Sequence, residues 1–332
     1  MHSSGRSIHS EKKKPNVILR NEPKVSEYEA QRQFNEMRME FVPYIKQFVS
    51  EHDLFRNEDE VGIEFAHKGV SSIVAIIDTP TNKWVLKIPL SKTLSAGEGQ
   101  FLRVWEEAGV AVPHVVEAGK LNGFPYTLMK FVDAPTLDSQ YSKEELLAKG
   151  LYAEMGKALR LMHSEKVDGY GSVVDGKPEF ETVEDWLEGY DMKIRFDYID
   201  EHNLIAGLEA VLSKSLDIIR QHFGDAGSTY CHGDFGPGNI FATEPITVFD
   251  PNPKFNNGYY DLGLAKFVNI AYGNSEEPLK QLLGGYFGEE TYDNEVLNAY
   301  TFLAFCMKCP YWHKTGREKE LQTAKNYFSQ IY

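Results

Sequence analysis

The chain has 332 residues, of which 42% are hydrophobic and 13% aromatic, and a net charge of −14. That length and apolar content suit about two domains, or one two-lobed unit with a sizeable core. The acidic balance argues against a nucleic-acid partner, which favours a basic face, and no apolar run in the sequence is long enough to span a membrane.

Residues 1–25 read as a polar arm. Ser3, Ser4, Gly5, Ser7 and the run Lys12 to Lys14 can bury little surface. These residues lack an apolar leader core, so a cytoplasmic protein is expected. Residues 26–58 form a helical prefix. Phe34, Met37, Phe41, Tyr44, Ile45, Phe48 and Val49 recur at helical spacing, with Pro43 as the expected break or kink.

Residues 59–132 form a small β-rich lobe. Val61 to Phe65 and Ile73 to Ile77 read as strands joined by a turn at Lys68 to Ser72. A turn of small residues can lay backbone N–H groups over phosphates, which makes Ser71 and Ser72 candidates, although any hairpin offers as much. Trp84 to Pro89 is a further strand, in which Lys87 stands among apolar neighbours and needs an anionic partner. Glu98 to Gly109 has the pattern of an amphipathic helix with Phe101, Leu102 and Trp105 on its buried stripe. It offers three carboxylates. Glu106 and Glu107 sit in the last turn, against the helix dipole, which leaves Glu98 as the candidate partner for a lysine. Phe124 to Val132 is the last strand of this lobe.

Residues 133–332 read as mostly helical. Ser142 to Glu145 has the form of a capping box, opening a helix whose buried face is Leu151, Met155, Leu159 and Met162 and whose end is His163. Further helices are expected from Asp185 to Tyr190, from Leu204 to Phe223 and beyond residue 262. Cys306 and Cys309, with His313 nearby, supply half a zinc site. No second pair exists, so reduced thiols are expected.

The chemistry concentrates in Tyr230-Cys-His-Gly-Asp-Phe-Gly-Pro-Gly-Asn-Ile-Phe and in Thr247-Val-Phe-Asp-Pro-Asn-Pro. Ile240–Phe241 and Ile246 to Phe249 read as two short strands. The loop before them presents Asp234 and, five residues on, Asn239; the loop after them presents Asp250. An acid, an amide and a second acid on neighbouring loops suit phosphoryl transfer. One carboxylate orients and deprotonates a hydroxyl, and the other two groups hold Mg²⁺ against nucleotide phosphates. Each residue also has a plain alternative: Asp234 as a turn cap, Asn239 as a bond within the loop, Asp250 as an Asx turn.

Cys231 to Ile240 resembles the His-Gly-Asp-x-x-x-x-Asn loop of the aminoglycoside phosphotransferase-like kinases, small-molecule kinases with the protein-kinase fold. Gly233 and Gly236 stand where protein kinases usually have Arg and Lys, which favours the small-molecule branch. The resemblance implies an α+β, two-lobed protein-kinase-like fold with a β-rich N-lobe, a larger helical C-lobe and here an extra N-terminal helix. It implies ATP as donor, with GTP as the alternative, and Mg²⁺ as cofactor. Asp234 becomes the catalytic base, Asn239 and Asp250 the metal ligands, and Lys87 with Glu98 the phosphate-binding pair. Ser71 and Ser72 fall in the phosphate flap. Lys130 to Val132 become the hinge whose backbone reads the base. Asp261 and His163 take structural roles, and His232 supports the loop.

The implied acceptor is a hydroxyl on a small molecule. A protein-substrate kinase and a degenerate nucleotide-binding pseudokinase remain as rivals. Two acidic stretches bear on the acceptor: Glu181, Glu184, Asp185, Glu188, Asp191, Asp197, Asp200 and Glu201, then Glu289, Glu290, Asp293 and Glu295. Facing a cleft, they would suit an aminoglycoside-like polyamine or another cationic alcohol, with Trp186 and Tyr190 as an aromatic face; facing water, they are a solvated surface.

Overall fold

A computed structural model describes residues 13–23, 32–66, 72–90 and 97–331. The chain divides into two compact units. The first comprises residues 1–92 and 115–131, the second residues 93–114 and 132–332. The stretch expected to form one lobe over 59–132 is therefore interrupted, because Thr93 to His114 belongs to the second unit.

Among its described residues the first unit has a six-stranded sheet and one α-helix. Its strands are β1 (Asn16–Leu19), β2 (Glu60–Phe65), β3 (Ser72–Asp78), β4 (Lys83–Pro89), β5 (Val115–Leu121) and β6 (Phe124–Lys130), in the order β1-β2-β3-β4-β6-β5. All neighbours are antiparallel except β1 and β2. Helix α1 (Arg32–Glu51) contributes Phe41, Ile45 and Val49 to a core shared with Val61, Ile63, Ile73, Ala75, Ile77, Trp84, Leu86 and Leu128. The period-2 burial of the strands and the helical spacing of α1 make one apolar layer between sheet and helix.

Two expectations change here. Asn16–Leu19, placed in a polar arm, pairs with β2 as an edge strand; it is four residues long and too short for a periodic signal. Pro43 lies inside α1, which continues on both sides of it. The turn before β3, including Ser71, and residues 26–31 of the expected prefix helix lie outside the described residues.

The second unit starts with α2 (Glu98–Glu107). Its C-terminus is closed by Gly109 at φ +89°, with Gly109 N–H bonded to Glu106 O and Val110 N–H to Trp105 O. That is the left-handed cap the sequence signals. Next come α3 (Leu137–Gln140), α4 (Lys143–Ala148), α5 (Leu151–Met162), α6 (Val183–Glu188), α7 (Tyr190–Glu201) and α8 (Glu209–Ala226). The unit ends in α9 (Tyr259–Ala271), α10 (Glu277–Phe287), α11 (Asn294–Lys314) and α12 (Glu318–Ile331). The Ser142–Glu145 capping box is present, but the expected single helix to Met162 is two, separated at Lys149–Gly150. The helix expected from Leu204 begins only at Glu209.

Short strands organise the middle of this unit: β7 (Lys166–Val167), β8 (Tyr170–Val174), β9 (Lys177–Phe180), β10 (Ser228–Cys231) and β13 (Lys254–Asn256), in the order β7-β10-β13-β8-β9. Between β10 and β13 the chain makes a separate hairpin, β11 (Ile240–Phe241) with β12 (Thr247–Val248), in the register Ile240 to Val248 and Phe241 to Thr247. Both acidic loops thus emerge from paired strands. The loop with Asp234 leaves β10 and enters β11, and the loop with Asp250 leaves β12 and enters β13.

Candidate active site

Asp234 is exposed at the start of the loop. Asn239 Nδ2 donates to its backbone carbonyl at 2.7 Å and to its carboxylate Oδ2 at 3.2 Å. The five-residue spacing thus closes on itself: the amide ties the end of the loop to the acid at its start. Asn239 lies in a 3₁₀ turn (Pro237–Asn239), and Phe249 N–H donates to its carbonyl at 3.0 Å, which joins this loop to the strand before Asp250. Lys308, on α11, reaches Asp234 Oδ1 at 3.4 Å.

The base of the loop is fixed by Asp261, fully buried in the first turn of α9. Its carboxylate accepts His232 N–H at 2.6 Å, Gly233 N–H at 2.8 Å and His163 Nε2 at 3.1 Å. His163 Nδ1 in turn meets the Tyr286 hydroxyl at 3.0 Å. A buried carboxylate is tolerated because hydrogen-bond donors replace its water.

His232 is buried, with Nε2 3.0 Å from Phe249 O and Nδ1 accepting Asp234 N–H at 3.3 Å. One nitrogen donates and the other accepts, which is the neutral imidazole. Burial also pushes its pKa below the ordinary value, against smaller opposing effects of Asp261 and other carboxylates. Trp105 stacks on this ring with 5.8 Å between centroids and 3° between planes, and its Nε1 donates to Tyr230 O at 3.3 Å. Phe101 packs edge-on to Tyr230, so α2 lies against the strand that delivers the loop.

Gly233 has φ +73°, and a Cβ there would overlap the Asn252 carbonyl oxygen. The Asn252 N–H bonds to His232 O at 2.8 Å. The two acidic loops approach too closely at this point for any side chain, so the Arg usual in protein kinases cannot fit.

Among the expected nucleotide residues, Lys87 is 6% exposed in β4 and Glu98 3% exposed at the start of α2, where the helix dipole favours a carboxylate. Glu106 instead pairs with His114 at the surface, and Glu107 is exposed. Ser72 opens β3 and is buried, its hydroxyl without a hydrogen-bond partner among the described residues. Lys130 ends β6 with its ammonium over the Trp84 ring at 4.7 Å, and Val132 is the first residue of the chain's return to the second unit. Asp250 is exposed at φ +55°. The Asn239 and Asp250 pair is an amide oxygen and a carboxylate, hard donors that fit Mg²⁺, and the Asn239 nitrogen is already spent on the loop.

Half of the carboxylates in the acidic stretches have a side-chain or capping partner among the described residues. Asp191 pairs with Arg195, Asp197 with Lys193, Glu290 with Arg160 and Glu295 with Lys214. Asp185 is bonded to the N-cap Thr182, and Asp293 caps α11. Trp186 is buried in the second unit's core, whereas Tyr190 is exposed. The cysteines are free and buried, and burial pushes all three thiols well up, Cys309 to about 11. His163, Cys231 and Asp261 come close enough to share an ion, but the thiol stays protonated and hydrogen bonds already occupy the carboxylate.

The model of the phosphotransferase enzyme family matches residues 62–294, well over half of the chain. The chain belongs to this family. A probable ketoamine kinase of Staphylococcus aureus is 24% identical over 199 residues, 57% of this chain and 67% of that protein. The fold is that of aminoglycoside phosphotransferase APH(4)-Ia, with a TM-score of 0.58, 16% identity, and 87% of this chain and 97% of that one covered. An ethanolamine kinase of Plasmodium vivax aligns with a TM-score of 0.57 at 12% identity over 95% of this chain and 98% of its own. The family member described here is thus a phosphotransferase enzyme with the two-lobed, protein-kinase-like architecture of small-molecule kinases.

Proposed function

We propose that this enzyme transfers the γ-phosphoryl group of ATP to a hydroxyl group of a small molecule, with Asp234 as the base. The observation that carries the reading is the fixed loop. Asp234 is held at its carbonyl and carboxylate by Asn239, the loop base is pinned by Asp261, and the carboxylate stays exposed. Phosphoryl transfer asks for that: a positioned acceptor oxygen beside groups that neutralise charge. Lys87 and Glu98 would serve the phosphates, and the backbone at Lys130 to Val132 the base. Ser72, and with it Ser71, would cover the phosphates.

Asn239 and Asp250 would hold Mg²⁺, which neutralises charge on the transferred group when bound. ADP and hygromycin B occupy one APH(4)-Ia structure together, which supports a nucleotide and a small alcohol as the paired substrates here. A ketoamine, an aminoglycoside and an ethanolamine-like alcohol are the acceptor classes that the relatives suggest. The test is a screen of such alcohols for ATP-dependent phosphorylation with product detection by mass. ADP formation with phosphorylated alcohol is expected; phosphate transfer only to protein would replace the reading with a protein kinase.

For the metal, Asp250→Asn is expected to weaken Mg²⁺-dependent ATP binding about tenfold or more, since one carboxylate of few protein ligands is lost. Calorimetry with and without Mg²⁺ measures it. An unchanged Mg²⁺ dependence would remove Asp250 from the metal role.

A further inference from the structure

The chain is acidic, yet three of the four charged side chains lining one cavity next to the Asp234 loop are cationic. A cavity of about 100 Å³ in the second unit is lined by Arg195 of α7, Lys254 of β13 and Lys308 of α11, together with Gly233 and Asn252 of the two acidic loops. Asp191 is the one carboxylate in its lining, and Arg195 already holds it at 3.3 Å. Arg195 also donates to Met307 O at 2.7 Å, while its Nε is buried without a partner among the described residues. Lys254 donates to Ser172 Oγ at 2.8 Å, a neutral oxygen, and burial lowers its pKa, with Asp191 opposing. Lys308 joins the cavity to the reaction centre through its contact with Asp234. Arg195 has Asp191 and Lys308 has Asp234 as carboxylate partners, while Lys254 has a neutral hydroxyl with Asp191 and Glu179 acting at longer range; Lys254 and the free Nε of Arg195 gain when an anion enters.

We propose that the acceptor carries an anionic group, a carboxylate or a phosphate, which Arg195, Lys254 and Lys308 hold in this cavity while its hydroxyl lies at Asp234. The proposal rests on the phosphotransferase reading above and narrows its acceptor. An amine elsewhere on the acceptor is compatible with it, but a purely cationic or neutral alcohol lacks the group these residues bind. A guanidinium and two ammonium groups suit several oxygens of one small anion.

The experiment uses the full chain with ATP and matched acceptor pairs. Hydroxy amino acids and ketoamines of amino acids are compared with their amides, and sugar phosphates with the parent sugars. Expected is a kcat/KM for the anionic member about 10- to 100-fold above its neutral isostere, the size of a charge-assisted contact. Preference within the hydroxy acids identifies a carboxylate; preference within the sugar phosphates identifies a phosphate. Lys254→Met and Arg195→Gln should each collapse that ratio toward one, and Lys254→Arg should keep most of it. The ratio is independent of the fraction of enzyme that folds, so a destabilised variant still answers. Equal turnover of anionic and neutral members would overturn the proposal and leave the kinase standing. Absence of turnover with every alcohol would overturn both. Loss of ADP affinity in Lys254→Met with the acceptor ratio intact would assign the cations to the nucleotide and overturn it as well.

Discussion

Replacing Asp234 by Asn is expected to lower kcat by about 10²- to 10⁴-fold, the range that general-base and positioning contributions span. Asn is nearly isosteric and keeps an oxygen for the Asn239 amide, so the loop bond at 3.2 Å has a substitute and the backbone bond at 2.7 Å is untouched. What disappears is the charge that, in the proposed reaction, would orient a hydroxyl and take its proton, and the partner of Lys308. Nucleotide affinity should stay within a few-fold. Steady-state kinetics with an identified acceptor, beside calorimetry with ADP, separates the two. A kcat within tenfold of wild type would mean that another group is the base.

The second large effect is on the frame. Asp261→Ala removes the acceptor of two backbone N–H groups and of His163 from a fully buried place. Water cannot readily replace it, so the variant should lose about 3–5 kcal/mol of stability, as when one partner of a buried charged network is deleted. The denaturant midpoint measures this. Activity should fall together with stability, because the same carboxylate holds His232 and Gly233 at the base of the catalytic loop. Full activity with a shifted midpoint would show that Asp234 is positioned without that support. A loss under about 1 kcal/mol would show that the donors find other acceptors.

Much of this frame could be read from the chain because its signals are local. The Ser142 capping box, the Gly109 helix end and the Ile240 and Val248 hairpin are set by residues a few positions apart. Asp234 and Asn239 interact across five residues, so their spacing carried the information. Long-range features were hidden. β10 and β13 are four and three residues long, and their pairing joins segments twenty-five residues apart, which periodicity does not detect. Lys308 lies seventy-four residues from Asp234, within an apolar helix where it reads as an ordinary surface lysine. The acidic stretches left two readings open, a binding face and a solvated one. Asp191, Asp197, Glu290 and Glu295 face cations four residues away or on another segment, and composition cannot tell such a pair from a binding surface.

The stacking of Trp105 on His232 bears on control of the enzyme. In protein kinases the helix that carries the conserved glutamate is a moving part, and its position decides whether the enzyme is on. Here α2, with Glu98 in its first turn, the helix proposed to play that part, is fixed to its neighbours. Trp105 binds the Tyr230 carbonyl and covers His232, Phe101 packs on Tyr230 and Phe255, and Ala111 beyond the helix accepts the Val248 N–H. Swinging it outward would strip two large aromatic side chains from the strands that carry the catalytic loop. The helix and those strands are therefore expected to move as one piece, so that a change at Trp105 is felt at His232 and at the loop it supports.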